Sequence, residues 1–189
     1  MKNIVVDACC LINLVAAGHI LPNPSSTSKP KTKWFPDKLH VSATVMREAL
    51  YVKQADLDDP TKLVKSEIDL SKLIQQKILH GCDIEGMHES RLFVECAANL
   101  DDGEAASLAI AKSRSWTLAT DDRLAAKFAT SMEVGVLNTA QLVKMWALHS
   151  LASEAVIEEA LKNIQTYAKF VPREQSKGYD WWGKHTPNV

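Results

Sequence analysis

The chain has 189 residues, a hydrophobic fraction of 46% against 24% charged, and 22 basic against 23 acidic residues for a net charge of -1. That length holds one ordinary domain able to bury its core without disulfides or a structural metal. The balance of charge and a pI near 6.6 exclude a protein that coats nucleic acid through a generally basic surface, so any contact with phosphates has to be a local patch.

No apolar run approaches the ~20 residues of a membrane span. "IVVDACCLINLVAAGHIL" is broken by Asp7 and preceded only by Lys2, which argues against a signal peptide and for a cytoplasmic chain away from membranes. Cys9, Cys10, Cys82 and Cys96 form no C-x-x-C pair. The adjacent Cys9 and Cys10 are poorly placed to bridge or to share a tetrahedral zinc, and "HGCDIEGMH" (His80, Cys82, His88) lacks a fourth spaced ligand. Reduced thiols are the expectation.

"NIVVDA" (3–8) reads as a strand ending in an acid, and "CCLINLVAAG" as the helix after it, closed by Gly18. "LPNPSSTSKPKTKWFP" (21–36) is Pro-rich and reads as an irregular loop. "LHVSA" (39–43) is the next strand and "TVMREALYVKQ" the next helix. Around 60–96, Leu63, Ile68, Leu73, Ile74 and Ile78, then Leu92, Val94 and Cys96, recur at helical spacing, which predicts a helical insertion of two helices parted by Gly81 and Gly86.

"DDGEAASLAIAKSR" follows as a helix, "WTLAT" as a strand, "DDRLAAKFA" as a helix, "VGVLN" as a strand and "TAQLVKMWAL" as a helix. In 153–170 a face of Ile157, Ala160, Leu161, Ile164 and Ala168 predicts a helix capped by Ser153, and the tail beyond shows no period. The tail's Trp181 and Trp182 are read first as packing residues. Strands alternating with helices predict an α/β fold, a three-layer α/β/α sandwich around a mainly parallel sheet. The expected organisation is one domain over 1–150, with a C-terminal helix and tail over 151–189 packed on it.

In open parallel sheets ligands bind outside the carboxyl ends of the strands. Asp7 closes the first strand, Asp121 and Asp122 follow "TLAT", Asp101, Asp102 and Glu104 open the helix before it, and Glu48 lies near the end of the second strand. Brought together, these acids raise one another's pKa unless a cation neutralises them, and oxygen donors suit Mg2+ or Mn2+. Such ions align a phosphodiester and activate water as nucleophile. Each acid also has a local reading: Asp101-x-x-Glu104 has capping-box spacing, Thr120 with Asp121 can cap the next helix, and Glu48 can be a solvated helix position. Asp7 is different, because a charge inside "IVVDACCLINLV" is costly to bury unless it is paired or binds a metal.

Four segments, "IVVDACCLINL", "VSATVMREAL", "DDGEAASLAIA" and "LATDDRLA", taken in order over 3–140, make the chain resemble the PIN-domain family, which includes VapC-like toxin ribonucleases. The resemblance implies an endoribonuclease with Asp7, Glu104 and Asp121 or Asp122 as metal ligands, and Glu48 ligating or orienting water. It also implies Mg2+ or Mn2+ as cofactor, RNA as substrate, 5′-phosphate and 3′-hydroxyl products, a homodimer, and a small antitoxin partner if the chain is a toxin.

Cys9 departs from the Ser or Thr that the family carries two residues after its first Asp, and it offers a poorer hydrogen-bond partner. That keeps a second reading open, a PIN-like module that binds RNA or protein without cleaving. A phosphoryl-accepting aspartate fold lacks its expected D-x-D and lysine here. Phosphate contacts are sought among Lys29, Lys31 and Lys33, or among Lys112, Arg114, Arg123 and Lys127.

Overall fold

The structure, a computed structural model, describes residues 2–22, 38–48, 50–56, 59 and 61–186. The expected loop at 21–36, with Lys29, Lys31 and Lys33, falls almost wholly outside the described residues. The chain divides into two compact units of interleaved segments, the first comprising the residues up to Leu11, those from the second strand to Glu48, and Ile74–Asn138.

The first unit holds a five-stranded parallel sheet. Its strands are β1 (Asn3–Val6), β2 (Lys38–Ser42), β5 (His80–Cys82), β6 (Thr117–Ala119) and β7 (Val136–Leu137), in the order β5-β2-β1-β6-β7. The fold is therefore α/β, with a parallel central sheet flanked by helices. β1 is central, and its Ile4, Val5 and Val6 are all buried, as a strand covered on both faces requires. Val5 pairs with His40 on one side and with Leu118 on the other, and Val6 pairs with Ala119.

The helices of this unit are α2 (Ala43–Arg47), α4 (Gly86–Ala97), α5 (Asp102–Ser113) and α6 (Arg123–Ser131), together with the start of α1 (Ala8–Ala16). Val5, Leu108, Ile110, Leu118, Ala125 and Val134 share one apolar cluster, with Phe93, Trp116 and Phe128 packed against it. The run of small residues in α5, Gly103 to Ala111 with Glu104 alone half-exposed, is what lets that helix lie against the sheet and other helices at once.

The second unit contains the antiparallel hairpin of β3 (Tyr51–Ala55) and β4 (Leu63–Glu67), most of α3 (Leu70–Gln75), and α7 (Thr139–Ser150). It continues with α8 (Glu154–Asn163), a π-helical turn (Ile164–Ala168) and α9 (Tyr179–Lys184). Gly18, at φ +73°, turns the chain after α1 and donates to Val15 O at 3.0 Å, the role expected of it. Ile157, Ala160, Leu161 and Ile164 are buried as the periodicity predicts, and Ala168 is half-buried. Ser153 is the N-cap of α8 by its backbone, without a side-chain hydrogen bond. Trp182 is buried and meets Phe170 edge-on at 5.8 Å, and Trp181 lies over His185 at 4.5 Å.

Two local expectations fail. The helix predicted over 44–54 stops at Arg47, Glu48 is already extended at ψ 140°, and Tyr51–Ala55 forms β3 instead. The insertion predicted as two helices begins with strand β4, continues as the short α3, and contributes β5, a full member of the central sheet, before α4 completes the helical part. In both places a partner strand distant in sequence decides between strand and helix, and local periodicity carries no record of that partner. Among the described residues no helix is long and apolar enough to cross a membrane.

Candidate functional site

The strand order reverses at β1. From it the chain builds outward through β2 and β5 on one side, then returns to place β6 and β7 on the other. The crevice at such a reversal, outside the carboxyl ends of the strands, is where open parallel sheets bind ligands. Because Val6 pairs with Ala119, the next residues meet there: the Asp7 N–H donates to Ala119 O at 2.9 Å, and Thr120, Asp121 and Asp122 follow alongside.

Asp7 is 5% exposed. Its Oδ1 accepts from the Ala8 N–H at 2.8 Å, and its Oδ2 accepts from the Cys9 thiol and the Thr120 hydroxyl, both at 3.2 Å. Burial raises its pKa above the ordinary carboxyl range, these three donors oppose the rise, and the charge of Asp101 adds to it. By donating to Asp7 the Thr120 hydroxyl ties the two strand ends together, and it also accepts from the Asp122 N–H at 3.1 Å.

A second group of acids comes from the meeting of α2 and α5. Asp101 caps α5, its Oδ1 accepting from the Glu104 N–H at 2.8 Å, the forward half of the expected capping box. Glu104 is half-buried in the first turn, and its pKa is pushed up to about 7, first by burial and then by the charges of Asp101, Asp122 and Asp7. Glu48, the exposed C-cap of α2, is raised first by burial of its carboxyl and then by Asp101 and Asp7. Gly103 makes this approach possible: a Cβ added there would fall against Glu48 Oε1 and lie 3.3 Å from Val45 Cγ2.

The two aspartates after β6 part company. Asp122, not Thr120 with Asp121, caps α6, its Oδ1 accepting from the Leu124 and Ala125 N–H groups at 2.7 and 2.8 Å. Asp121 turns toward α1: its Oδ2 accepts from the Cys10 thiol at 3.4 Å, and its N–H points at Cys9 Sγ at 3.3 Å. Among the described residues, the His, Cys, Asp and Glu side chains whose ligand atoms all lie within 4.8 Å of one another are Cys9, Cys10 and Asp121. Asp7, Glu48, Asp101, Glu104 and Asp122 are coupled through charge instead of contact.

In donor type and charge these acids suit a hard divalent cation, although their ligand atoms are not all drawn within 4.8 Å of one another. Each offers carboxylate oxygens, and three of the five carboxyls are raised by burial and by one another's charge, a penalty that a doubly charged ion relieves. Asp7, Glu104 and Asp122 are the residues that could hold it, with Glu48 and Asp101 beside them.

Although the charge of Asp101 acts on Asp7, Glu48 and Glu104, sequence reasoning kept it only as the capping-box partner of Glu104. It also treated Cys9 and Cys10 without Asp121, because their meeting depends on the β1–β6 register. Two of the basic residues sought for phosphate contacts are engaged internally. Lys112 Nζ donates to Met132 O at 2.6 Å, and Arg114 holds the buried Glu89 through two bonds of 2.8 and 2.9 Å. Arg123 and Lys127 are exposed on α6. His80 stacks on His40 with ring centroids 5.3 Å apart, while the Cys82 thiol donates to Val41 O and is pushed up to about 11 by burial.

A family model described as a PIN domain matches residues 35–177, which takes in Glu48, Asp101, Glu104, Asp121 and Asp122 and leaves Asp7, Cys9 and Cys10 outside the matched span. No curated protein and no solved structure matches the chain significantly.

Proposed function

We propose that this chain, which belongs to the PIN-domain family of nuclease-like proteins, is a metal-dependent endoribonuclease that hydrolyses RNA phosphodiester bonds in the cytoplasm. The observation that carries the reading is the coupling of Asp7, Glu48 and Glu104 through shared charge at the reversal of strand order, together with Asp101 and Asp122. A bound Mg2+ or Mn2+ supplies charge for the phosphate oxygens and lowers the pKa of water, the nucleophile in this chemistry.

The chain's own residues do the rest. Asp7, Glu104 and Asp122 supply the oxygen donors, and Asp7 is held in one orientation by Ala8, Cys9 and Thr120. Asp101 fixes the first turn of α5 and so the backbone that carries Glu104. In this reading Glu48, the most exposed of the raised carboxyls, orients water and takes its proton. Asp121, directed at the thiols, contributes to the site through Cys9 and Cys10. The toxin role, a small antitoxin and a homodimeric state rest on the family resemblance alone.

The test is cleavage of labelled RNA with Mn2+, Mg2+ or chelator, by the wild-type chain and by Asp7→Asn. Metal-dependent cleavage that falls by about a hundred- to a thousandfold in the variant is the expected outcome, the size of effect seen when a stabiliser of developing charge is removed. Tight metal-independent RNA binding without cleavage would instead establish the binding module that Cys9 keeps open.

A further inference from the structure

Cys9 and Cys10 open α1, and Asp121 arrives beside them from the end of β6. The sulfur atoms of both thiols and a carboxylate oxygen of Asp121 all lie within 4.8 Å of one another. Neighbouring cysteines alone make a poor ion site. Here the β1–β6 register adds a third donor from a distant part of the chain. Two sulfurs and one oxygen are the donors of a borderline or soft ion, whereas the neighbouring acids offer only oxygen.

We propose that Cys9, Cys10 and Asp121 form a second cation site, selective for thiophilic ions of the Zn2+ class, and that its occupation weakens hard-ion binding at the adjacent acids. Binding breaks the two S–H bonds, forms two sulfur–metal bonds and releases two protons to solvent, with one water completing four-coordination. The Cys10 S–H bond to Asp121 Oδ2 is replaced by the ion.

The effect on the acids follows from Cys9. Its S–H donates to Asp7 Oδ2 at 3.2 Å, and that donor is lost when the sulfur ligates. The ion adds no net charge, since its two positive charges replace the two protons released, so the coupling is carried by the loss of the Cys9 donor that orients Asp7. This second half rests on the nuclease reading above; the existence of the thiol site does not.

Cd2+ serves as the probe for the thiol site. Titration of the full chain under a non-thiol reductant, followed by the thiolate-to-cadmium charge-transfer band, is expected to show one ion per chain. The band should fall by about half in Cys9→Ser and in Cys10→Ser, vanish in the double variant, and persist in Cys82→Ser with Cys96→Ser. Asp121→Asn should weaken the affinity about tenfold.

A band that survives the double variant, or none in the wild type, overturns the site. Sulfur counting by X-ray absorption on the unaltered Cd2+-bound chain tests the same point without mutation: two sulfurs support it, and any other number rejects it. Mn2+ binding, read by paramagnetic resonance of the free ion, should weaken about tenfold once one Cd2+ is bound. Unchanged Mn2+ affinity rejects the coupling. Absence of any Mn2+ binding sinks the hard-ion reading and the coupling with it, while the cadmium stoichiometry judges the thiol site separately.

Discussion

Glu104 lies three residues beyond the cap of α5, half-buried and facing the charges of Asp101, Asp122 and Asp7, so its carboxyl is raised from an ordinary 4.5 to about 7. Between those values the unfolded chain has released the proton and the folded chain still holds it. Stability without metal therefore falls as pH rises through this window and levels above it. Glu104→Gln should flatten that decline, leaving the share that the raised Asp7 and Glu48 contribute, and make the variant more stable at pH 8. After discounting for solvent around a half-exposed group, the gain is on the order of 1 kcal/mol, or about 2–4 °C in thermal midpoint. Midpoints measured in chelator from pH 4.5 to 8 check this, and parallel curves for the two proteins would refute it. Gly103 bears on a different carboxyl, that of Glu48, through space. An alanine there would push aside the carboxylate of Glu48, the far end of an exposed side chain, while Val45 Cγ2 at 3.3 Å has to shift slightly. Alanine also favours the helix by roughly 0.5–1 kcal/mol. Gly103→Ala should therefore keep its thermal midpoint within about 2 °C and lose metal-dependent cleavage to the same extent as Glu48→Gln; a normal cleavage rate would show that Glu48 need not approach α5.

At the scale of elements, the acids are placed by helix starts. Asp122 satisfies two N–H groups of α6 and also adds charge near Glu104, and substitution separates those roles. Asp122→Ala loses the cap, about 1 kcal/mol, and should lower the thermal midpoint by about 2–4 °C. Asparagine caps as well as aspartate, so Asp122→Asn should hold the midpoint and still impair Mn2+ binding. Equal melting of the two variants would mean that the cap contributes nothing. The same distinction explains what the sequence made legible. β1, α5, β6, α6 and α7 were readable because each carries its own signal: an apolar run, a capping residue, or a run of small residues at helical spacing. The acids at their ends could be named for the same reason. β3 and β5 were not readable, since Tyr51–Ala55 becomes a strand by pairing with Leu63–Glu67, and His80–Cys82 by pairing with His40–Ser42. Local spacing also could not tell which way Asp121 and Asp122 face. That is set by the register of Val6 on Ala119, which brings Cys9 and Cys10 to one aspartate and leaves the other to the helix.

For the whole molecule, a net charge of -1 means that RNA cannot be held by a general field. Its phosphates would first meet the repulsion of Asp7, Glu48, Asp101, Glu104 and Asp122, so affinity has to come from a bound cation and a few local contacts. Lys112 and Arg114 are committed to Met132 O and Glu89 and hold the fold together. In the nuclease reading, Arg123 and Lys127, exposed on the helix that Asp122 caps, are the residues that meet the phosphate backbone. Each contact to single-stranded RNA contributes about -0.7 to the slope of log affinity against log salt. The double variant Arg123→Ala, Lys127→Ala should therefore flatten that slope by about 1.4, with binding weakened across RNA sequences alike. Lys112→Ala should leave the slope untouched and lower the thermal midpoint, because its charge is spent inside the protein. If the double variant kept the wild-type slope, the strand would have to cross another face of the molecule, and α6 would serve only to present Asp122.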